Sequence, residues 1–375
     1  MQKAFDPDNF TASGCVIDGR RREECTLYVS DGKVSMDSGV SSDCDFQGIF
    51  VYDVLNAHTH CGDYGLKVPE GLSLEELVAP PDGLKHRYLR ELDGDGLRGN
   101  IRSFCKASAF YGSAGFVDFR EGGAEGCKVL RECCGDAVIL GRPVSEEYDP
   151  EEMSQILQVA DGIGLPSISD MPLDYIESVA DDVRDARKIL AIHVSERVRE
   201  DIDTVLSLDP AFVVHMCEAT DDDLAKCAEA EVPIVVCPTS NRYFGKEAPV
   251  ASMIRNGADV ALGTDNGMLC EPDMVKECGV MSSILDSQGA DPGDAWAMLS
   301  TLSCKLLKHR TRMMVKKQER VLTIIPEKED SGTSCNQGPG TPFLIRTNRG
   351  VRRCSAESLY RLTEANTPSL PSKRL

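Results

Sequence analysis

The sequence predicts an α/β fold, namely a (β/α)₈ barrel of the TIM type with a small β-sandwich subdomain formed by the N- and C-terminal segments. First, 375 residues of which 41% are hydrophobic can bury a large core and exceed the roughly 250 residues that such a barrel needs. Second, short apolar runs alternate with helix-length stretches from Val51 onward, as repeated βα units do. Third, histidines end several of these runs, and barrel enzymes build active sites at the carboxyl ends of strands.

The pattern changes along the chain and predicts four segments. Near each end, short β-prone pieces alternate with turn signals, and we expect these pieces to join in one subdomain. The last residues have the composition of a disordered terminus. The segments are residues 1–50 (N-terminal part of the β subdomain), 51–310 (barrel), 311–362 (C-terminal part of the β subdomain) and 363–375 (disordered tail).

Eight apolar runs predict the barrel strands, and the stretches between them predict helices. The strands are expected near residues 51–57, 115–119, 137–142, 161–165, 189–194, 211–216, 233–238 and 259–264. Helices are expected near residues 97–111, 221–230 and 294–307. Two further strands, near residues 321–326 and 341–349, are expected to rejoin the N-terminal β subdomain.

Composition narrows the functional class. A net charge of −20 argues against a nucleic-acid surface, which needs clustered Lys and Arg. The apolar runs are far shorter than the ~20 residues of a membrane-spanning helix. None of the 16 cysteines forms a Cys-x-x-Cys pair and no signal peptide is recognisable. We therefore expect a cytoplasmic protein that acts on a small molecule, without nucleic acid or membrane as partner, as a monomer or a homo-oligomer.

His58 and His60 stand two residues apart at the end of the first predicted strand. On a strand both side chains point to the same face, so their ring nitrogens can bind one metal ion. An isolated pair of this kind can also be two stacked surface residues. Further strand ends favour the metal site, because His193, His215 and Asp265 each occupy one. Considered alone, the tetrapeptide Thr-Asp-Asn-Gly around Asp265 would predict a turn.

The order His58-Thr59-His60, His193, His215 and Asp265 resembles the amidohydrolase superfamily. Residues 193–196 (His-Val-Ser-Glu), 238–241 (Pro-Thr-Ser-Asn) and 262–265 (Leu-Gly-Thr-Asp) resemble its branch of cytosine, guanine and S-adenosylhomocysteine deaminases and chlorohydrolases. Residues 76–87 with 119–123 are similar to an uncharacterised archaeal subgroup of that branch.

The resemblance implies one divalent metal, zinc before ferrous iron. Two-metal members of the superfamily carry a lysine at the end of strand four, where this chain reads Gly-Ile-Gly-Leu-Pro at 162–166. The implied metal ligands are His58, His60, His193 and Asp265. Asp265 also counts among the catalytic residues, since it would orient the metal-bound hydroxide.

The remaining implied roles concern the proton and the substrate. Glu196 would carry a proton from water to the leaving amine, and His215 would polarise the substrate or hold the water. The alternative for Glu196 is a solvated loop carboxylate. The expected substrate contacts are Lys85, His86, Arg120 and Asn241. For His86, ordinary packing within its loop is the competing interpretation.

The expected reaction is hydrolytic deamination of a purine-, pyrimidine-, pterin- or triazine-like heterocycle, at a carbon–nitrogen bond that is not a peptide bond. A cyclic-amide or halide hydrolase with the same metal site is the nearer alternative. A barrel that has lost its chemistry and serves as a scaffold is the more distant one.

Overall fold

The computed structural model describes residues 6, 8–19, 21–31, 33–78, 82–135, 137–302, 319–327 and 342–348. The chain divides into two compact units, one of Met1–Tyr52 with Gln318–Leu375 and the other of Asp53–Lys317. The predicted tail at residues 363–375 lies outside the described residues. The predicted boundaries at 310 and 362 also fall outside them.

The terminal unit contains a six-stranded mixed sheet in the order β15-β14-β4-β1-β2-β3. Its buried side chains, among them Phe10, Leu27, Phe50 and Leu322, form one apolar core. The described strands form one continuous sheet instead of the two packed sheets of a sandwich, because β1 pairs antiparallel with β2 on one side and parallel with β4 on the other. The strands are β1 (Asn9–Asp18), β2 (Arg21–Ser30), β3 (Lys33–Ser38), β4 (Phe46–Tyr52), β14 (Glu319–Pro326) and β15 (Phe343–Asn348).

The second unit is built on a curled nine-stranded sheet in the order β12-β11-β10-β9-β8-β7-β6-β5-β13. Every neighbouring pair in it is parallel. The strands are β5 (Leu55–His60), β6 (Gly115–Arg120), β7 (Ala137–Gly141), β8 (Gly162–Leu165), β9 (Ile189–Val194), β10 (Phe212–His215), β11 (Ile234–Val236), β12 (Val260–Leu262) and β13 (Asp265–Asn266). Two residues separate β12 from β13, which lie at the two ends of this order.

Helices connect the strands, as the alternating pattern predicts. Two predicted helices begin at capping residues: Asp93 accepts a hydrogen bond from Gly96 N before α3, and Thr220 forms a capping box before α8. No helix among the described residues has the length and apolar character needed to cross a membrane. The helices are α1 (Leu74–Val78), α2 (Leu84–Glu91), α3 (Gly94–Phe110), α4 (Gly123–Cys133), α5 (Pro150–Val159), α6 (Leu173–Asp185), α7 (Ile202–Ser207), α8 (Asp221–Glu229), α9 (Pro238–Tyr243), α10 (Val250–Arg255), α11 (Met274–Ser287) and α12 (Ala295–Met298).

The helix predicted at 294–307 is seen in part as α12, and residues 303–307 lie outside the described residues. The strand predicted at 51–57 spans two strands of different sheets, β4 and β5. The break falls at Asp53, whose φ of 52° lies in the left-handed region and cannot continue a strand.

Alternate residues of the parallel strands fill the interior of the second unit. Val117 and Phe119 from β6 and Val138 and Leu140 from β7 belong to one buried cluster. Gly164 on β8 makes room for this packing, because a Cβ atom there would lie 2.4 Å from Cδ1 of Phe119. Side chains alternate between the two faces of a strand. Every second residue therefore forms a row on the interior face, and the next residue of that row just past the carboxyl end also starts on the interior face.

Candidate metal centre

Four histidines and one aspartate meet at the carboxyl ends of the parallel strands. His58 and His60 lie on β5, His193 lies on β9, His215 ends β10, and Asp265 begins β13. All except the half-buried His193 are nearly inaccessible to solvent. The ring centroids of His58 and His193 are 4.8 Å apart. The structure therefore brings together the residues that the sequence marked at separate strand ends.

The potential ligand atoms of this cluster are close enough to share one ion. Those of His58, His60 and His193 lie within 4.8 Å of one another, as do those of His58, His215 and Asp265. Oδ1 of Asp265 lies 3.2 Å from Nε2 of His58 and 3.4 Å from Nε2 of His60. Imidazole nitrogens with one carboxylate are ligands that zinc and other divalent transition metals accept. The residues present thus fit a divalent metal.

Hydrogen bonds on the far side of the rings fix their orientation. Nδ1 of His60 lies 2.9 Å from Oε1 of Glu121, and Nδ1 of His193 lies 2.7 Å from the carbonyl oxygen of Leu165. Such bonds place the proton on Nδ1 and leave Nε2 available as a ligand. Ser240 Oγ donates a 2.6 Å hydrogen bond to Oδ2 of Asp265 and orients that carboxylate.

Burial and mutual proximity set the charge of the cluster. Burial lowers the pKa of His58 to about 3 and outweighs the hydrogen bond to Asp265. Burial, followed by the neighbouring His58 and His215, lowers the pKa of His193 well below its ordinary value. Burial alone would raise the pKa of Asp265, but its bond to His58 and the nearby imidazoles lower it. Neutral imidazoles and an ionised carboxylate are the states that metal binding requires.

Glu196 lies beside His215, three residues beyond His193. Its Oε2 atom is 3.7 Å from Nε2 of His215, and burial raises the pKa of Glu196 although His215 opposes the shift. On the other side of the ring, Asn241 Nδ2 is 3.0 Å from Nδ1 of His215. A carboxyl group beside an imidazole can accept a proton and return it.

The backbone at these strand ends is strained. Ser195, His215 and Asp265 have φ values of 50°, 78° and 60°, in the left-handed region that costs a non-glycine residue on the order of 1–3 kcal/mol. At Ser195 the turn is held by Glu200, whose Oε2 accepts the Ser195 N–H at 2.9 Å. At these turns the side chains of His215 and Asp265 leave the regular alternation of the strands.

Glu121 is a site residue that our sequence analysis did not identify. Its carboxylate accepts hydrogen bonds or ion pairs from His60 at 2.9 Å, Lys85 at 2.8 Å and Arg120 at 2.7 Å. Burial would raise its pKa, but Lys85, His60 and Arg120 together hold the pKa of Glu121 well below its ordinary value. The available signal was strand alternation, because Glu121 continues the interior row of Val117 and Phe119.

All four predicted substrate contacts are bound to protein groups, Asn241 to His215 as described above. Lys85 is buried between Glu121 and Asn266, and Arg120 is buried against Glu121 and Asp118. Nε2 of His86 is 3.1 Å from the carbonyl oxygen of Val78. Their roles toward a substrate, like that of Asn241, stay predictions.

Segments that follow the strands add an apolar cluster to this unit. Buried Leu66, Leu77 and Met268 form its centre, and Leu84 and Phe244 pack against them. These residues follow β5, β11 and β13, whereas the histidines belong to the strands themselves. The cluster and the metal centre are therefore built from different parts of the chain.

Comparison with known proteins shows the family to which the chain is similar. A model of the amidohydrolase family matches residues 54–311. An uncharacterized protein of Methanocaldococcus jannaschii is 32% identical over 290 residues, which cover 70% of this chain and 74% of that protein. These matches confirm the predicted resemblance, including its archaeal side.

Two solved structures share the fold at 13% sequence identity. A zinc-bound adenosine deaminase from Xanthomonas campestris has a TM-score of 0.63 over 94% of this chain and 96% of its own. A guanine deaminase from C. acetobutylicum with bound guanine has a TM-score of 0.60 over 83% of this chain and 90% of its own. At such low identity the likeness concerns the fold alone.

Proposed function

The chain belongs to the amidohydrolase family, hydrolases that act on carbon–nitrogen bonds, and from this premise we propose that it deaminates a heterocyclic substrate hydrolytically. The observation that carries the proposal is the convergence of ligand atoms from His58, His60, His193 and Asp265 beside the carboxyl group of Glu196. The two fold neighbours, named as deaminases of adenosine and guanine, support the choice of a purine-like ring among the heterocycles considered.

We assign the metal to His58, His60, His193 and Asp265, with zinc as the first choice and ferrous iron as the second. A divalent ion in such a site supplies a nucleophile at neutral pH by lowering the pKa of water toward ~7. The orienting contacts of Glu121, Leu165 and Ser240 keep the ligand atoms in place for it.

The proton steps fall to Glu196. In this proposal its carboxylate accepts a proton from the attacking water and delivers it to the departing amine, which otherwise leaves poorly. His215, held by Asn241 at 3.0 Å, donates toward the substrate atom that gains negative charge, as an electrophilic group does in acyl and amidine hydrolysis. Asp265 orients the water as well as binding the metal.

We also infer that the parallel sheet closes into an eight-stranded barrel. β12 pairs with β11, and after two residues the chain continues as β13, which pairs with β5. Thr264 N, between these two strands, donates to His58 O at 3.2 Å. Counting β12 and β13 as one interrupted strand gives eight strands, the number in a TIM-type barrel.

The test is a substrate screen with the zinc-loaded protein. Purines, pyrimidines, pterins and triazines are incubated with it, and released ammonia is measured beside the Glu196→Gln variant as control. Ammonia release that depends on both metal and Glu196 is the expected result. Formation of a halide or of a ring-opened acid without ammonia would contradict deamination. It would instead indicate a halide hydrolase or a cyclic-amide hydrolase.

A further inference from the structure

Arg142 lies one residue beyond β7, at the same carboxyl edge as the histidines. Its backbone N–H donates to the carbonyl oxygen of Arg120 at 2.9 Å, so its backbone still belongs to the sheet. Val138 and Leu140 of β7 point into the interior cluster, and Arg142 is the next residue of that row. Its side chain therefore starts on the interior side of the strand ends.

Arg120 occupies the opposite row of its strand. Its neighbours Val117 and Phe119 belong to the interior cluster, and its guanidinium is almost completely buried against Asp118 and Glu121. Of these two arginines, Arg142 is the one that continues the interior-facing residues of its strand at the carboxyl end, where the histidines lie. The sequence alone predicts Arg120, and not Arg142, as a contact of the substrate.

The guanidinium of Arg142 has no ion-pair partner among the residues that the structure describes. Glu121 and Asp170 attract it from a longer distance, but both carboxylates already have closer cations. Glu121 contacts Lys85 at 2.8 Å and Asp170 contacts Arg197 at 3.1 Å. Within the described part of the chain, the guanidinium donors of Arg142 are thus not used by a protein acceptor.

The guanidinium charge of Arg142 is unusual because it lies in partly buried surroundings. Arg142 is half-buried, and burial lowers its pKa while Glu121 and Asp170 oppose the shift; an arginine nevertheless stays charged at neutral pH. His86 lies close enough that burial, Lys85 and Arg142 together lower its pKa to about 4. A partly desolvated cation without a counter-ion is costly, and a ligand anion would remove that cost.

We propose that Arg142 binds an anionic group of the substrate, a carboxylate or a phosphate, at the carboxyl end of β7. The planar guanidinium offers paired N–H donors that match two oxygens of either group. His86, whose pKa is affected by the charge of Arg142, is a polar neighbour of this guanidinium. The location rests on the proposed function, because it places the anion at the edge that holds the candidate metal centre. The substrate class would be an anionic heterocycle or nucleotide.

Two measurements test this assignment in the zinc-loaded protein. Binding of inorganic phosphate is titrated by calorimetry, and kcat/KM is compared for adenosine with adenosine 5′-monophosphate and for cytosine with 5-carboxycytosine. For Arg142→Met we expect phosphate affinity to fall by about 10-fold or more. For whichever anionic compound is a substrate, kcat/KM should fall by about 100-fold, and that of its neutral counterpart by less than about 3-fold. The phosphate and carboxylate pairs distinguish the two sources of the anion.

Arg184→Met is the matched control, since Arg184 is an exposed arginine of α6 paired with Asp181. It should leave phosphate binding and kcat/KM unchanged. Arg142→Lys keeps the charge but loses the paired donors, so it should fall between the wild type and Arg142→Met. Equal phosphate binding by wild type and Arg142→Met, or equal losses for neutral and anionic substrates, would overturn the proposal. If no compound is deaminated, the proposed function fails, while the phosphate titration still decides the role of Arg142.

Discussion

Replacing Glu121 by Gln should weaken both the fold and the metal centre. The substitution keeps the size of the side chain but removes its charge. In the wild type this charge faces Lys85 at 2.8 Å, Arg120 at 2.7 Å and the His60 ring at 2.9 Å. Lys85 and Arg120 are nearly inaccessible to solvent, so neither can recover its hydration when the carboxylate is neutralised.

The magnitude follows from the burial of these contacts. Removing one partner of a buried ion pair costs about 3–5 kcal/mol, because the remaining charge stays desolvated. We therefore expect the free energy of unfolding of the metal-free protein to fall by about that amount at pH 7. Loss of the carboxylate that orients His60 should also weaken metal affinity by roughly 10–100-fold.

The stability difference should depend on pH with a defined sign. The cationic neighbours depress the pKa of Glu121 well below its ordinary value of 4.5 in the folded protein. The charged carboxylate therefore stabilises the fold above pH 4.5, and this contribution is lost as the pH falls through the folded-state pKa. The difference between wild type and Glu121→Gln should shrink in acid. Urea unfolding of both proteins at pH 7 and at successively lower pH measures it.

Glu125→Gln serves as the control, because Glu125 on α4 is exposed and pairs with Lys128 at the surface. It should change stability by less than about 1 kcal/mol. A Glu121→Gln variant as stable as this control at pH 7, or a difference that grows as the pH falls, would refute the reasoning.

Three further substitutions probe the metal, the proton transfer and the packing. His193→Ala should lose bound metal on dialysis, as measured by elemental analysis, because it removes one of four proposed ligands. Glu196→Gln should keep metal content near normal while kcat falls by roughly 100-fold or more, as measured by ammonia release. Gly164→Ala should lower the free energy of unfolding by about 1–3 kcal/mol, since the new Cβ would lie 2.4 Å from the Phe119 ring in a close-packed interior.

Each substitution has a matched control in the same chain. His86→Ala should retain the metal; equal metal loss in both histidine variants would contradict the ligand assignment. Glu218→Gln, at a half-exposed carboxylate paired with Lys246, should leave kcat unchanged. Gly99→Ala in α3, where nothing lies within 4 Å of the added Cβ, should raise stability by roughly 0.5–1 kcal/mol. A destabilised Gly99→Ala together with a stable Gly164→Ala would disprove the packing argument.

The sequence predicts seven strands of the second unit, β6 to β12, to within about two residues, because each is a short apolar run between turn signals. It does not predict the two-residue strand β13. It also marked His58, His60, His193, His215 and Asp265, since ligand-type residues at strand ends form a local pattern. The break at Asp53 depends on one left-handed backbone angle, which composition does not reveal.

Other features depend on contacts between distant parts of the chain. Glu121 acquires its role by meeting Lys85 and His60, which come from different segments. The preference for Arg142 over Arg120 became visible only when the interior rows of β6 and β7 were known. Strand alternation could have separated these two arginines, but only after the strand boundaries had been fixed to a single residue.

The apolar cluster of Leu66, Leu77 and Met268 comes from segments that follow strands, whereas the histidines lie on strands of the hydrogen-bonded sheet. Mutations can therefore reshape one without displacing the other. After gene duplication, a copy could drift in these segments while its reaction centre stays under purifying selection. For directed evolution, libraries confined to Leu66, Leu77 and Met268 would vary this cluster while leaving the ligand residues of the proposed metal centre unchanged.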